Sequence, residues 1–245
     1  MAANWKMYKT AEQANMFFEA FNPLVDGVNN CEIVVFPVSV AIPAAVNAVT
    51  GTAIRIGGQN IFWEKEGPYT GEISGEMLYA TGATWVLVGH SERRQYFHET
   101  DADVLKKSQS AIAAGLMPII CIGERLEDHK AGKTGEVLVR QFAGGIAGLT
   151  EEQFANVAIA YEPVWAIGTG HTATPEIASE AHKLIRSEAE KRFGQTAAEQ
   201  LRIVYGGSVK PEKCEGLMNE PEIDGVLVGG ASLDPQSFAK IVKAA

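Results

Sequence analysis

Trp85-Val86-Leu87-Val88-Gly89-His90 and, after a helical stretch, Pro118-Ile119-Ile120-Cys121-Ile122-Gly123 are the runs from which the fold follows. Both are nearly continuous apolar segments rich in β-branched residues, which marks parallel strands buried on both faces rather than strands with one wet face. Between them, Asp101 or Thr100 can cap a helix carrying Val104, Ala111 and Ile112, which Gly115 ends and Pro118 follows. Strand, helix, strand is a parallel crossover unit. Outward in both directions the same unit recurs, with strands expected at Glu32 to Phe36, Ile54 to Gln59, Val157 to Glu162, Leu201 to Tyr205 and Asp224 to Val228. A first strand around Ala2 to Met7 brings the number to eight. Eight βα units without a linker, low-complexity tract or charge block predict a single domain over residues 1–245, a closed (β/α)8 barrel. An open eight-stranded sheet satisfies the apolar pattern alone, so the choice also rests on the motifs below.

The helices between the strands carry their own start signals. Thr10 with Gln13 makes a capping box, and Ala14, Phe17, Phe18 and Phe21 recur at helical spacing on one face. Thr174-Pro175 and Asp234-Pro235 each put a capping side chain before a proline at the first helical position.

Composition narrows the function classes. In 245 residues, 46% are hydrophobic and 21% charged, the balance of a globular chain with ample core material. A formal charge of −9 argues against nucleic acid or an anionic membrane as partner, because both need a basic surface. A small anionic ligand would need local positive potential instead. Three cysteines, Cys31, Cys121 and Cys214, show no CxxC spacing and suggest neither a disulfide framework nor a zinc site, which fits a reducing, cytoplasmic setting. The N-terminus has no apolar signal-like run, and no stretch is long and apolar enough to span a bilayer.

In a barrel of this kind the functional side chains come from the C-terminal strand ends and the loops after them. Asn4 and Lys6 fall at the end of the first strand and, by strand alternation, on one face; His90 ends the fourth strand, with Ser91-Glu92-Arg93-Arg94 behind it, and Glu162 ends the sixth. Gly206-Gly207-Ser208 follows the seventh strand and Gly229-Gly230 the eighth. Either glycine pair alone could simply turn the chain. Both together at adjacent strand ends predict a phosphate held by backbone N–H groups, which answers the need for local positive potential without arginine. Lys6 next to such a site could neutralise the anion or form a Schiff base, and His90 reads as a catalytic group rather than a core histidine because of its strand-end position. Glu162 emerges from apolar Ala158-Ile159-Ala160-Tyr161, surroundings expected to raise its pKa toward that of a useful general base. The loop Pro163 to Gly170, with Val164, Trp165 and Ile167 inside it, reads as a lid.

Asn4-Trp5-Lys6-Met7, Gly89 to Arg94, Tyr161 to Gly170 and Tyr205-Gly206-Gly207-Ser208, occurring in that order, resemble the triosephosphate isomerase family over essentially the whole chain. The resemblance implies a TIM barrel that interconverts dihydroxyacetone phosphate and D-glyceraldehyde 3-phosphate in glycolysis and gluconeogenesis, without metal or organic cofactor. It implies Glu162 as the base that moves a proton between adjacent carbons through an enediolate, and neutral His90 as the group that polarises the carbonyl. It further implies Lys6 as positive charge, Asn4 as a hydrogen-bonding group, Glu92 as a support for Lys6, and Gly168, Ser208, Gly229 and Gly230 as phosphate-binding backbone. A homodimer formed through the loop Asn60 to Glu76 follows from the same likeness, with Thr70 reaching toward the other subunit's catalytic region. Such a dimer needs neither nucleic acid nor membrane.

The sequence departs from the family pattern in four places. Fewer residues than usual precede Ala3-Asn4-Trp5-Lys6, which puts the bottom of the first strand in question. Tyr8 stands where many members have asparagine, His98 where glycine is common, and His171 where lysine is common.

Overall fold

The computed structural model describes residues 1–167 and 173–245. Its strands are β1 (Ala2–Asn4), β2 (Val34–Phe36), β3 (Arg55–Gly58), β4 (Trp85–Val88), β5 (Met117–Ile122), β6 (Ala158–Tyr161), β7 (Arg202–Tyr205) and β8 (Gly225–Val228). All pair in parallel, in sequence order, and the sheet closes on itself. Closure is made by β1, where Ala2 and Ala3 stand opposite Leu227 and Val228 on one side and opposite Val34 and Val35 on the other. An open sheet is therefore excluded. Ahead of Ala2, the Met1 amine donates to the Glu32 carbonyl at 2.7 Å.

The near-continuous apolar runs have the meaning expected of them. Along β4, Trp85 and Leu87 point into the barrel with Phe36, Ile119, Cys121, Ala158 and Ala160, whereas Val86 and Val88 point outward into the larger core under the helices. Alternation along each strand thus divides one apolar sequence between two cores.

Local capping follows the sequence. Thr10 and Gln13 form the expected box, and the helix Ala11–Val25 buries Ala14, Phe17, Phe18 and Phe21. Phe21 stacks on Phe238 of the last helix, 5.2 Å between centroids, tying the two ends of the chain together. Between the two candidate caps of the helix Asp101–Ala113, Thr100 is the one used: its side chain accepts from the Asp103 N–H, and Asp103 answers with the Thr100 N–H. Such a cap is worth about 1 kcal/mol. Asp101 instead pairs with Arg94 at 2.6 Å.

One boundary corrects the reading of the sequence. The first strand ends at Asn4, and Lys6 has φ of +52°, outside extended backbone. Strand alternation is not what places Asn4 and Lys6 together; a turn does.

Candidate active site

The inward parity of β6 carries through Ala158 and Ala160 to Glu162, which is therefore delivered into the mouth of the barrel and is almost fully buried. The parity of β4 would send His90 outward. Gly89, with φ of +70°, breaks that alternation and turns the next residue back over the barrel. A Cβ at Gly89 would also stand 2.6 Å from Val104, so larger residues fail there on both counts.

His90 caps the helix Ser91–Tyr96, and its Nδ1 accepts from the Glu92 N–H at 3.2 Å. The proton of the neutral ring must then lie on Nε2, which faces Glu162 Oε1 at 2.9 Å. The other carboxylate oxygen accepts from the Ser91 N–H at 2.8 Å. Burial alone would raise the Glu162 pKa, but the His90 ring and the Ser91 N–H together hold it below the ordinary carboxylate value. The expectation of a raised pKa is thus overturned for this arrangement, since apolar neighbours in sequence are outweighed by donors that only the fold supplies. Burial likewise works to lower the His90 pKa, and the Glu162 carboxylate overrides it and raises the value.

Lys6 is held by three contacts. Its N–H donates to Asn4 Oδ1 at 2.9 Å, its carbonyl accepts from Gln59 Nε2 at 2.7 Å, and its ammonium meets Glu92 Oε1 at 2.7 Å. The first two pin a non-glycine residue in left-handed backbone, a conformation that costs on the order of 1 kcal/mol and persists only when its surroundings impose it. Gln59, which also donates to Phe36 at 2.9 Å, was not singled out in the sequence; nothing in its neighbours marks it. Glu92 stands beside Lys6 as expected and reaches within 3.6 Å of His90 Nδ1.

The glycines open the floor of the site. At Gly206 a Cβ would lie 2.9 Å from the Glu162 Cγ, and at Gly229 3.3 Å from the Lys6 Cε, so both let a functional side chain lie against backbone. At Gly230 a Cβ would meet nothing within 4 Å. Asn4, Lys6, His90, Glu162, Ser208, Gly229 and Gly230 line one cavity of about 370 Å³, a size suited to a small molecule. Gly168 and His171 lie outside the described residues. His98 adopts φ of +57°, the left-handed backbone for which glycine is the easier choice. Among the described residues, no group of three or more His, Cys, Asp and Glu side chains is placed to hold a metal ion.

Comparison with known proteins agrees with this geometry. The family model described as Triosephosphate isomerase matches residues 1–245. The chain belongs to the triosephosphate isomerase family. It is 60% identical over 242 residues to the triosephosphate isomerase of Solibacter usitatus, covering 99% of this chain and 97% of that protein. Likeness to the enzyme of Citrifermentans bemidjiense is 53% over 243 residues, with 99% and 97% covered, and to that of Dictyoglomus thermophilum 49% over 243 residues, with 99% and 98% covered. As a member of the triosephosphate isomerase family the chain is an isomerase.

Proposed function

We propose that Glu162, His90, Lys6 and Asn4 carry the reaction of this family, the interconversion of dihydroxyacetone phosphate and D-glyceraldehyde 3-phosphate, within one domain spanning residues 1–245. The observation that supports these roles is that Glu162, His90, Lys6 and Asn4 line one cavity together with Ser208, Gly229 and Gly230. Phosphate rests on the glycine end, where backbone N–H groups bind an oxyanion without side-chain charge. Gly168, outside the described residues, is assigned to the same phosphate-binding role on the family likeness alone. The triose then projects its carbonyl toward His90 Nε2–H and Lys6, while Glu162 removes a proton from the neighbouring carbon and returns it to the other. His90 donates its Nε2 proton to the developing oxyanion and takes back the proton of the neighbouring hydroxyl, so the O–H proton crosses between the two oxygens as the C–H proton crosses between the carbons, with Lys6 adding charge and Asn4 and Glu92 fixing Lys6.

Both Glu162 oxygens are occupied, by His90 and Ser91. To reach carbon, the carboxylate must release the Ser91 N–H, and Gly206, which has no side chain to crowd the Glu162 Cγ lying against it, leaves the side chain room to move. Losing a hydrogen bond to a charged group costs about 1.5–3 kcal/mol. Substrate binding at the phosphate end offsets this, and release of the His90–Glu162 contact frees Nε2–H for the substrate oxygen. A coupled isomerase assay, with Glu162→Ala as control, tests the assignment. Activity that survives the substitution refutes it.

A homodimer is the second part of the proposal. A cavity of about 420 Å³ beside Lys6, His90 and Glu92 opens toward exposed Met7, Tyr96 and Phe97, which are 90%, 65% and 63% accessible. The loop Asn60 to Glu76, stiffened by the Phe62–Tyr69 ring contact at 4.6 Å, carries exposed Tyr69 and Thr70 outward. Its exposed tip at Tyr69 and Thr70 would enter that cavity on a second copy. Sedimentation at micromolar concentration should give the mass of two chains, and a monomer refutes this part. No helix among the described residues is long and apolar enough to cross a membrane, and a cytoplasmic location belongs to the same proposal.

A further inference from the structure

On the helix side of the barrel wall, behind the catalytic carboxylate, lies a second cluster. Glu124, in the loop after β5, is 0% exposed, and its Oε1 accepts from Trp165 Nε1 at 2.7 Å and from the Tyr161 hydroxyl at 3.2 Å. Its Oε2 is buried with no hydrogen-bond partner among the described residues. Trp165 belongs to the 3-10 turn Val164–Ala166 that follows Glu162 and Pro163, and that turn is tied to the same loop by the Val164 N–H on the Glu124 carbonyl at 3.0 Å. Over the outer face of the indole lies His129, from the short helix Leu126–Lys130. The rings stack with centroids 4.1 Å apart and planes 18° from parallel, and His129 Nδ1 is 3.6 Å from Glu124 Oε1.

We propose that His129 is a positioning residue for the turn that carries Trp165: proton uptake by its imidazole ties the indole to the buried Glu124 carboxylate, and proton loss releases that tie. The neutral ring offers Trp165 a stacking surface only. The imidazolium adds a cation against the indole face and a countercharge for the buried Glu124 carboxylate. His129 is about one-third exposed, so solvent reaches its ring and can deliver the proton. Of the groups around it, Glu124 faces it from the β5 loop and Trp165 from the turn. Tyr161 stands across Glu124 on β6, with burial and the Glu124 charge pushing its hydroxyl pKa up, so it remains a donor throughout. Asp128 and Lys130 flank it in the chain, and Lys133 and Glu136 begin the next helix.

The sign follows directly. A charge pair formed on protonation is present at low pH and lost as pH rises through the histidine range. It favours the arrangement described here, in which Glu162 rests on the Ser91 N–H, so acid should hold the turn after the base in its resting position and slow the reaction.

The test labels the four tryptophans with 5-fluorotryptophan, assigns the Trp165 fluorine resonance by Trp165→Phe, and titrates wild type, His129→Gln and His129→Arg from about pH 5 to 8. The wild-type resonance should move between two limits. His129→Gln should stay near the high-pH limit and His129→Arg near the low-pH limit, with neither variant titrating. In the coupled assay, kcat of His129→Gln should lose a several-fold acid decline that wild type shows. The proposal is overturned if His129→Gln titrates at Trp165 as wild type does, or if both variants displace the resonance and kcat by the same amount at every pH, as a purely structural role would. It rests on Glu162 being the base only for the kcat arm. The fluorine arm stands without that reading, so the two fail separately.

Discussion

Two glutamates, Glu162 and Glu124, end neighbouring strands and are equally buried, at 2% and 0% exposure, yet they are placed for opposite tasks. Glu162 inherits the inward parity of Ala158 and Ala160 and faces the cavity. Glu124 has the outward parity of Tyr161 and faces the helices, where Tyr161 and Trp165 hold it. Residue type and burial are the same on both sides of the wall. On the proposed reading of Glu162 as base, a buried carboxylate becomes a base or a brace according to which side of the strand layer it faces, a choice made by odd or even count along each strand.

The largest expected effect lies on the cavity side. Glu162→Asp withdraws the carboxylate by about 1 Å, a displacement of the size that costs ~10²-fold when it spoils reacting geometry. We expect kcat to fall at least ~10²-fold with KM little changed; steady-state kinetics showing an unaltered kcat would break the comparison at its centre.

Next in size is the support of Lys6. Gln59→Ala removes two hydrogen bonds, to Lys6 and Phe36, and should lower kcat/KM about 10-fold, corresponding to net hydrogen-bond contributions of about 1 kcal/mol. A measured kcat/KM equal to wild type would mean that Asn4 alone holds the left-handed turn.

On the outer side, Glu124→Gln keeps an acceptor for Trp165 and Tyr161 but removes charge. Its kcat should change by less than about 10-fold, while unfolding free energy from urea melts should fall by about 1–3 kcal/mol. A loss of kcat rivalling that of Glu162→Asp would erase the distinction between base and brace.

The smallest effect is in acid stability. With its folded pKa held below the ordinary 4.5, Glu162 adds stability that is present above the unfolded value and lost as pH falls through the folded one. Glu162→Gln should therefore flatten the decline of melting temperature below about pH 4.5. An unchanged slope would show that the His90–Glu162 contact contributes nothing to folded-state proton binding.

Much of this was legible before any coordinate. The apolar runs gave eight strands to within two residues at most of their ends, because doubly buried parallel strands leave no polar alternation to blur them. The first strand is the exception: alternation carries it on to Lys6, which the fold instead holds in a turn through Asn4 and through Gln59, in the loop after β3. His90 and Glu162 were legible as strand-end polar residues. Gln59 and the Ser91 N–H were not, because one acts through a side chain of ordinary appearance and the other through backbone. His129 reads in sequence as one more polar residue on a short helix; its stack on Trp165 joins positions 36 residues apart.

The sequence by itself therefore determined the barrel, its caps and the identity of the groups at its mouth, since hydrophobic period and capping chemistry act over a few residues. Only the tertiary structure decided the direction of the Glu162 pKa, the tautomer of His90 and the division of labour between Glu162 and Glu124. Those depend on distances across strands, and electrostatic and hydrogen-bond energies change over a single ångström that no spacing in sequence records.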